Sequence, residues 1–68
     1  MALTLREWRR VKEISQENMA EKLSIHVNTY QNWEKEPEKI AFAKAVEISK
    51  ILGVSIDDIA FISKEPAI

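Results

Sequence analysis

Residues 15–34, SQENMAEKLSIHVNTYQNWE, constrain the fold more than any other stretch of the chain. Ser15 has the short side-chain oxygen of a helix N-cap, and Glu17 stands in the first turn, where the helix dipole favours negative charge. Met19, Ala20 and Leu23 recur at helical spacing, and Ile14, just before the cap, is placed to pack on Met19 as a hydrophobic staple. The helix so predicted ends near Ser24. A second helix follows from about Val27 to Lys35, with Tyr30 and Trp33 on one side and Asn28, Gln31 and Asn32 on the other. Only Ser24-Ile25-His26 separate the two. Helices joined by so short a turn must cross steeply, which leaves one face of the second free to project.

The remaining chain supplies what packs against this pair. From Leu3 to about Glu13, Leu5, Trp8 and either Val11 or the aliphatic stem of Lys12 share a face, with Arg6, Arg9 and Arg10 around the rest. Glu34 to Lys39 is polar apart from Pro37, which biases Glu36 away from helix, so a loop is predicted. From Ile40, the residues Phe42, Ala45, Val46, Ile48, Ser49 and Leu52 sustain a fourth helix, closed by the only glycine, Gly53. Ser55 predicts the cap of a last short helix, with Asp57 and Asp58 in its first turn and Ile56, Ile59 and Ile62 available for packing. Trp8, Tyr30, Trp33 and Phe42 fall on apolar stripes and are expected in the core. One glycine and two prolines leave little punctuation for hairpins. The predicted class is all-α: a compact bundle of five short helices over residues 1–62, then a short tail, residues 63–68.

At 68 residues the chain is one small domain, too short for most enzyme architectures. With no cysteine it has no disulfide, and one histidine without cysteine makes no ordinary structural zinc site. No nucleophile, base and orienting group can be assembled, since Asp57 and Asp58 are better explained as helix-dipole partners; an enzyme is not expected, nor a cofactor, a metal or a small-molecule ligand. Met1 is followed by a charged amphipathic segment, so no signal peptide and no membrane span are expected. The net charge of −1 provides no global attraction to phosphate. Any binding to nucleic acid must rest on local charge: residues 1–35 hold six Lys/Arg against five Glu, and residues 36–68 four against six Asp/Glu. Between Leu23 and Trp33 there is no carboxylate at all.

Four elements in order resemble the Cro and CI repressor type of helix-turn-helix family of phages and bacteria: Leu5-x-x-Trp8-Arg9; Ser15-Gln16-Glu17-x-Met19-Ala20-x-x-Leu23; Thr29-Tyr30-x-x-Trp33-Glu34; and Ile48-Ser49-x-x-Leu52-Gly53-Val54-Ser55-Ile56-Asp57-Asp58-Ile59. The resemblance spans about residues 4 to 62 and implies a lambda-repressor-like fold, with the helix-turn-helix formed by the second and third helices. The chain departs from the family's pattern where Ser24 replaces the usual turn glycine, where His26 replaces a small polar N-cap, and where Glu34-Lys35-Glu36 stands in place of Glu-Asn-Gly. The turn and the loop after the third helix are where a different path is expected.

The resemblance implies base-reading roles for Val27, Asn28, Gln31 and Asn32, and DNA-backbone contacts from Gln16 and Thr29. His26 in the turn and Lys35 behind the helix are further expected phosphate contacts. Asn and Gln pair bidentately with adenine, and Val27 suits a thymine methyl. Arg9 and Glu34 match a pair that ties the first helix to the end of the third. Arg6, Arg10, Lys12 and Lys22 are open to two readings, DNA contact or solubilising charge. The expected function is sequence-specific binding of a double-stranded DNA operator by a small phage-type or bacterial transcription regulator, Cro-like or a repressor, with residues 27–35 in the major groove. One short recognition helix makes too few contacts for useful specificity, so a homodimer on half-sites about 34 Å apart is expected. Its surface is placed at Ile56, Ile59, Phe61 and Ile62, with Ile68 of the tail. The location expected is the bacterial cytoplasm, on the nucleoid when DNA-bound. The length suggests a stand-alone regulator. Two alternatives stand: the DNA-binding antitoxin of a toxin pair, and a helical protein-interaction module that does not bind DNA.

Overall fold

A computed structural model of the protein describes residues 2–62. The predicted tail at 63–68, including Ile68, lies outside the described residues. Among the described residues there are four α-helices and not five: α1 (Leu5–Val11), α2 (Gln16–Lys22), α3 (Val27–Lys35) and α4 (Phe42–Leu52). Single 3-10 turns at Pro37–Lys39 and Ile56–Asp58 complete the helical content. Two-residue strands, β1 (Leu3–Thr4) and β2 (Ile59–Ala60), pair in parallel with Leu3 opposite Ile59.

The expected fifth helix stops after one turn. Ser55 does cap it, its hydroxyl accepting from the Asp57 N–H, but Ile59 turns to extended backbone and joins β1. A β-branched residue with an open strand edge beside it gains more from that ladder than from a second isolated turn. The first helix also begins later than expected. Leu3 and Thr4 are extended, and Thr4 forms a capping box with Glu7: the Thr4 hydroxyl accepts from the Glu7 N–H, while the Glu7 carboxylate accepts from the Thr4 N–H at 2.8 Å.

Three helix ends share one device. Glu13, Ser24 and Gly53 follow α1, α2 and α4 in the left-handed conformation, with φ of 56°, 58° and 70°. At each, the next residue folds back: Ile14 N–H to Arg9 C=O, Ile25 N–H to Ala20 C=O, and Val54 N–H to Ser49 C=O. These are Schellman turns. Ile14, Ile25 and Val54 all pack against the core, so apolar contact holds the two non-glycine residues in a conformation that costs about 1–2 kcal/mol. Ser24 therefore gives the turn between α2 and α3 the geometry that glycine usually provides.

The core is Leu5, Met19, Ala20, Leu23, Tyr30, Ile48, Leu52 and Ile59, with Trp8 and Trp33 packed around it. Trp8 donates its indole N–H to the Asp58 carbonyl at 2.6 Å, tying α1 to the C-terminal 3-10 turn. Lys44 of α4 donates to the Leu23 carbonyl at 3.1 Å, where α2 ends. Phe42 is not in the core: it is 74% exposed. As the first residue of α4 it stands a turn ahead of Ala45, the first buried position of that helix, and rims a groove lined by Pro37, Ile40, Ala45, Ile59 and Phe61. The segment 34–39, expected as loop, has Glu34 and Lys35 in the last turn of α3 and a 3-10 turn at Pro37–Lys39, with Pro37 buried.

Candidate nucleic-acid interface

α3 buries Tyr30 and half-buries Trp33 and Val27, and its other side is open to solvent. At about 100° per residue, Val27, Gln31, Lys35, Asn28 and Asn32 fall in that order on one continuous arc. Asn28, Gln31, Asn32 and Lys35 are exposed; Val27 gives part of its side chain to the core and shows only the remainder. Thr29 is exposed at the margin of this arc, beside a shallow recess it shares with Asn32, Trp33, Glu36 and Lys39. His26 caps the helix, its Nδ1 accepting from the Asn28 N–H at 3.4 Å. That bond makes Nδ1 the acceptor and leaves Nε2–H as an outward donor.

Across a groove from this face lies the basic side of α1. Arg6, Arg9, Arg10, Gln16, Gln31, Glu34 and Lys35 line it together. Arg9 is engaged: Nε donates to Glu34 Oε2 at 2.6 Å and an Nη donates to the Ile14 carbonyl at 2.9 Å. Arg6, Arg10 and Lys35 join no ion pair among the described residues, so they leave the groove positive. Arg6 and Arg10, about one helical turn apart, present their charge on the same side of α1. Lys12 and Lys22 are not among the groove's lining residues.

Glu34 is the junction of the site. Beyond Arg9, it accepts from Gln16 Nε2 at 3.1 Å, and Gln16 Oε1 in turn accepts from Gln31 Nε2 at 3.2 Å. Burial opposes the charge on Glu34, but contacts from Arg9, Tyr30 and Gln16 outweigh it and hold its pKa below the ordinary carboxylate value. The same hydrogen bond to Glu34 raises the Arg9 pKa. Burial, then Glu34, pushes the Tyr30 phenol up. The Tyr30 hydroxyl sits within electrostatic reach of the pair yet makes no hydrogen bond of full geometry.

The structure thus brings Gln16, Gln31, Glu34, Arg9 and Lys35 to one groove and His26, Asn28, Asn32 and Thr29 to the adjoining face. The links from Gln16 to Glu34 and to Gln31 were missed from the sequence; side chains 18 and 15 positions apart leave no local signal of contact. The expected dimer surface needs one correction. Ile59 is 5% exposed and belongs to the core, because β2 turns it inward beside Leu5 and Leu52. Ile56 and Phe61 are half-buried, and Ile62 is 69% exposed. Among the described residues no group of acidic, His or Cys side chains could hold a metal ion, and no helix is long and apolar enough to cross a membrane.

A model of the helix-turn-helix family matches residues 5–59, nearly the whole of the described chain. No curated protein and no solved structure matches it.

Proposed function

The chain belongs to the helix-turn-helix family, whose domains are DNA-binding regulatory modules and not enzymes, and from that premise we propose that it reads a specific operator as a small phage-type or bacterial transcription regulator. The observation that carries this reading is the acid-free arc of α3, where Asn28, Gln31 and Asn32 stand exposed together beside a groove with three cations that join no ion pair among the described residues. In it α3 enters the major groove. Asn28, Gln31 and Asn32 address base edges, with the exposed part of Val27 against a thymine methyl. Lys35, Gln16, Thr29 and the outward N–H of His26 meet phosphates, joined by Arg6 and Arg10 across the groove. Arg9 and Glu34 set the angle between α1 and α3 and do not touch DNA.

Two copies are needed for useful specificity, and the surface proposed to pair them is Ile56, Phe61 and Ile62, extended by Phe42. A bacterial cytoplasmic location goes with this role. The alternative of a protein-interaction module is favoured by one feature, the exposed Phe42 and Ile62 beside the apolar groove. Titrating the labelled protein with mixed-sequence duplex at low salt, followed by amide NMR, separates the two. Shifts at the side-chain amides of Asn28, Gln31 and Asn32 and along Arg6 to Arg10 are expected. No change in those signals would contradict DNA binding and leave the apolar face as the working surface.

A further inference from the structure

The hydrogen-bond chain from Glu34 to Gln31 has a direction that chemistry fixes. An ionised carboxylate only accepts, so Gln16 must turn its Nε2 toward Glu34. Its Oε1 then faces the other way and can only accept, which draws Gln31 Nε2 toward it. With one N–H held by Gln16, Gln31 presents Oε1 and its single remaining N–H to whatever lies in front of α3. Arg9 anchors the far end, holding Glu34 through Nε at 2.6 Å and an Nη at 3.5 Å.

The geometry assigns Gln16 and Glu34 as positioning residues that set which base Gln31 prefers, adenine over guanine. This rests on the proposal that α3 reads base edges. Adenine offers a donor at N6 and an acceptor at N7, which an amide showing one oxygen and one N–H matches at both atoms. Guanine offers acceptors at both O6 and N7. To serve those two, Gln31 needs both N–H groups free, and one is taken. A Gln31 released from Gln16 rotates and accepts either purine.

The test uses the full chain and compares affinities for duplexes that differ only by adenine or guanine at one position. That position is the one at which Gln31→Ala abolishes the wild-type preference. Gln16→Met keeps the length of the side chain without its amide, and Gln16→Ala is measured in parallel. Both are expected to lower the adenine-to-guanine affinity ratio at that position by about fivefold or more while ratios at the other positions stay at wild-type values, and to melt below the wild type because Glu34 loses the Gln16 hydrogen bond. Loss of any phosphate contact by Gln16 weakens both duplexes alike and leaves the ratio unmoved. If Gln31→Ala changes preference but the Gln16 variants keep the wild-type ratio, or if the wild type prefers guanine there, the positioning role is overturned and base reading by α3 stands. If Gln31→Ala changes no preference anywhere, base reading by Gln31 fails and the positioning role with it.

Discussion

Glu34 has side-chain exposure of 5% and its partner Arg9 of 12%, so the pair is shielded on both sides. Removing one member leaves the other poorly solvated, which costs more than a surface ion pair is worth. Arg9→Ala is expected to lower stability by about 2–3 kcal/mol, read from urea or thermal melting, a larger effect than its change in base preference. Changed preference with unchanged melting would contradict the structural role given to it. The pair also predicts a pH limb. Because the folded-state pKa of Glu34 lies below its ordinary value of 4.5, its contribution is fully present above that pH and is lost as pH falls through the lower folded value. Glu34→Gln should start less stable at neutral pH and show a flatter acid limb; identical acid limbs would count against a depressed Glu34. On the reading face, Asn28→Ala or Gln31→Ala should each weaken operator binding by about 1–3 kcal/mol and relax preference at one base pair. Unchanged binding by both would mean that another face of α3 meets the DNA.

At the level of elements, the ends of the helices carry the most information about how this chain folds. Ser24 adopts φ of 58° with no glycine to ease it, at the turn that sets how α3 leaves α2. Ser24→Gly is expected to raise stability by about 0.5–1 kcal/mol, relief of the left-handed strain exceeding the added freedom of the unfolded chain. A lower melting temperature for this variant would show that the Ser24 side chain itself stabilises the turn. The bounds of α3 and the Ser15 cap of α2 were legible from the sequence, because capping and periodicity act within a few residues. The Thr4-x-x-Glu7 capping box is a signal just as local, and it starts α1 at Leu5, two residues after the start predicted from the first apolar residue. The C-terminal strand was not legible. Whether Ile59 continues a helix or pairs with Leu3 depends on an edge 56 residues away. Phe42 misled for a related reason: its stripe position is correct, but no layer of the core extends to the first turn of α4.

For the molecule as a whole, the net charge of −1 and the positive groove describe different distances. Screening confines each charge to about 8–10 Å at physiological salt, so a phosphate in the groove feels Arg6, Arg10 and Lys35 far more than the acidic C-terminal half. With three cations in the groove that join no ion pair among the described residues, the slope of log affinity against log salt should be on the order of −3 per bound protomer, and Arg10→Ala should reduce it by about 1. A slope near zero would exclude phosphate contact as a main source of affinity. The surface proposed for pairing predicts dimers on operator DNA, and sedimentation showing one protomer on a palindromic site would remove it. The central claim is that α3 reads duplex sequence, and selection from a random duplex library tests it most directly. The account predicts enrichment of a short adenine-containing half-site, repeated in inverted orientation with centres about 10 bp apart. Recovery of sequences indistinguishable from the starting library at low salt would contradict it.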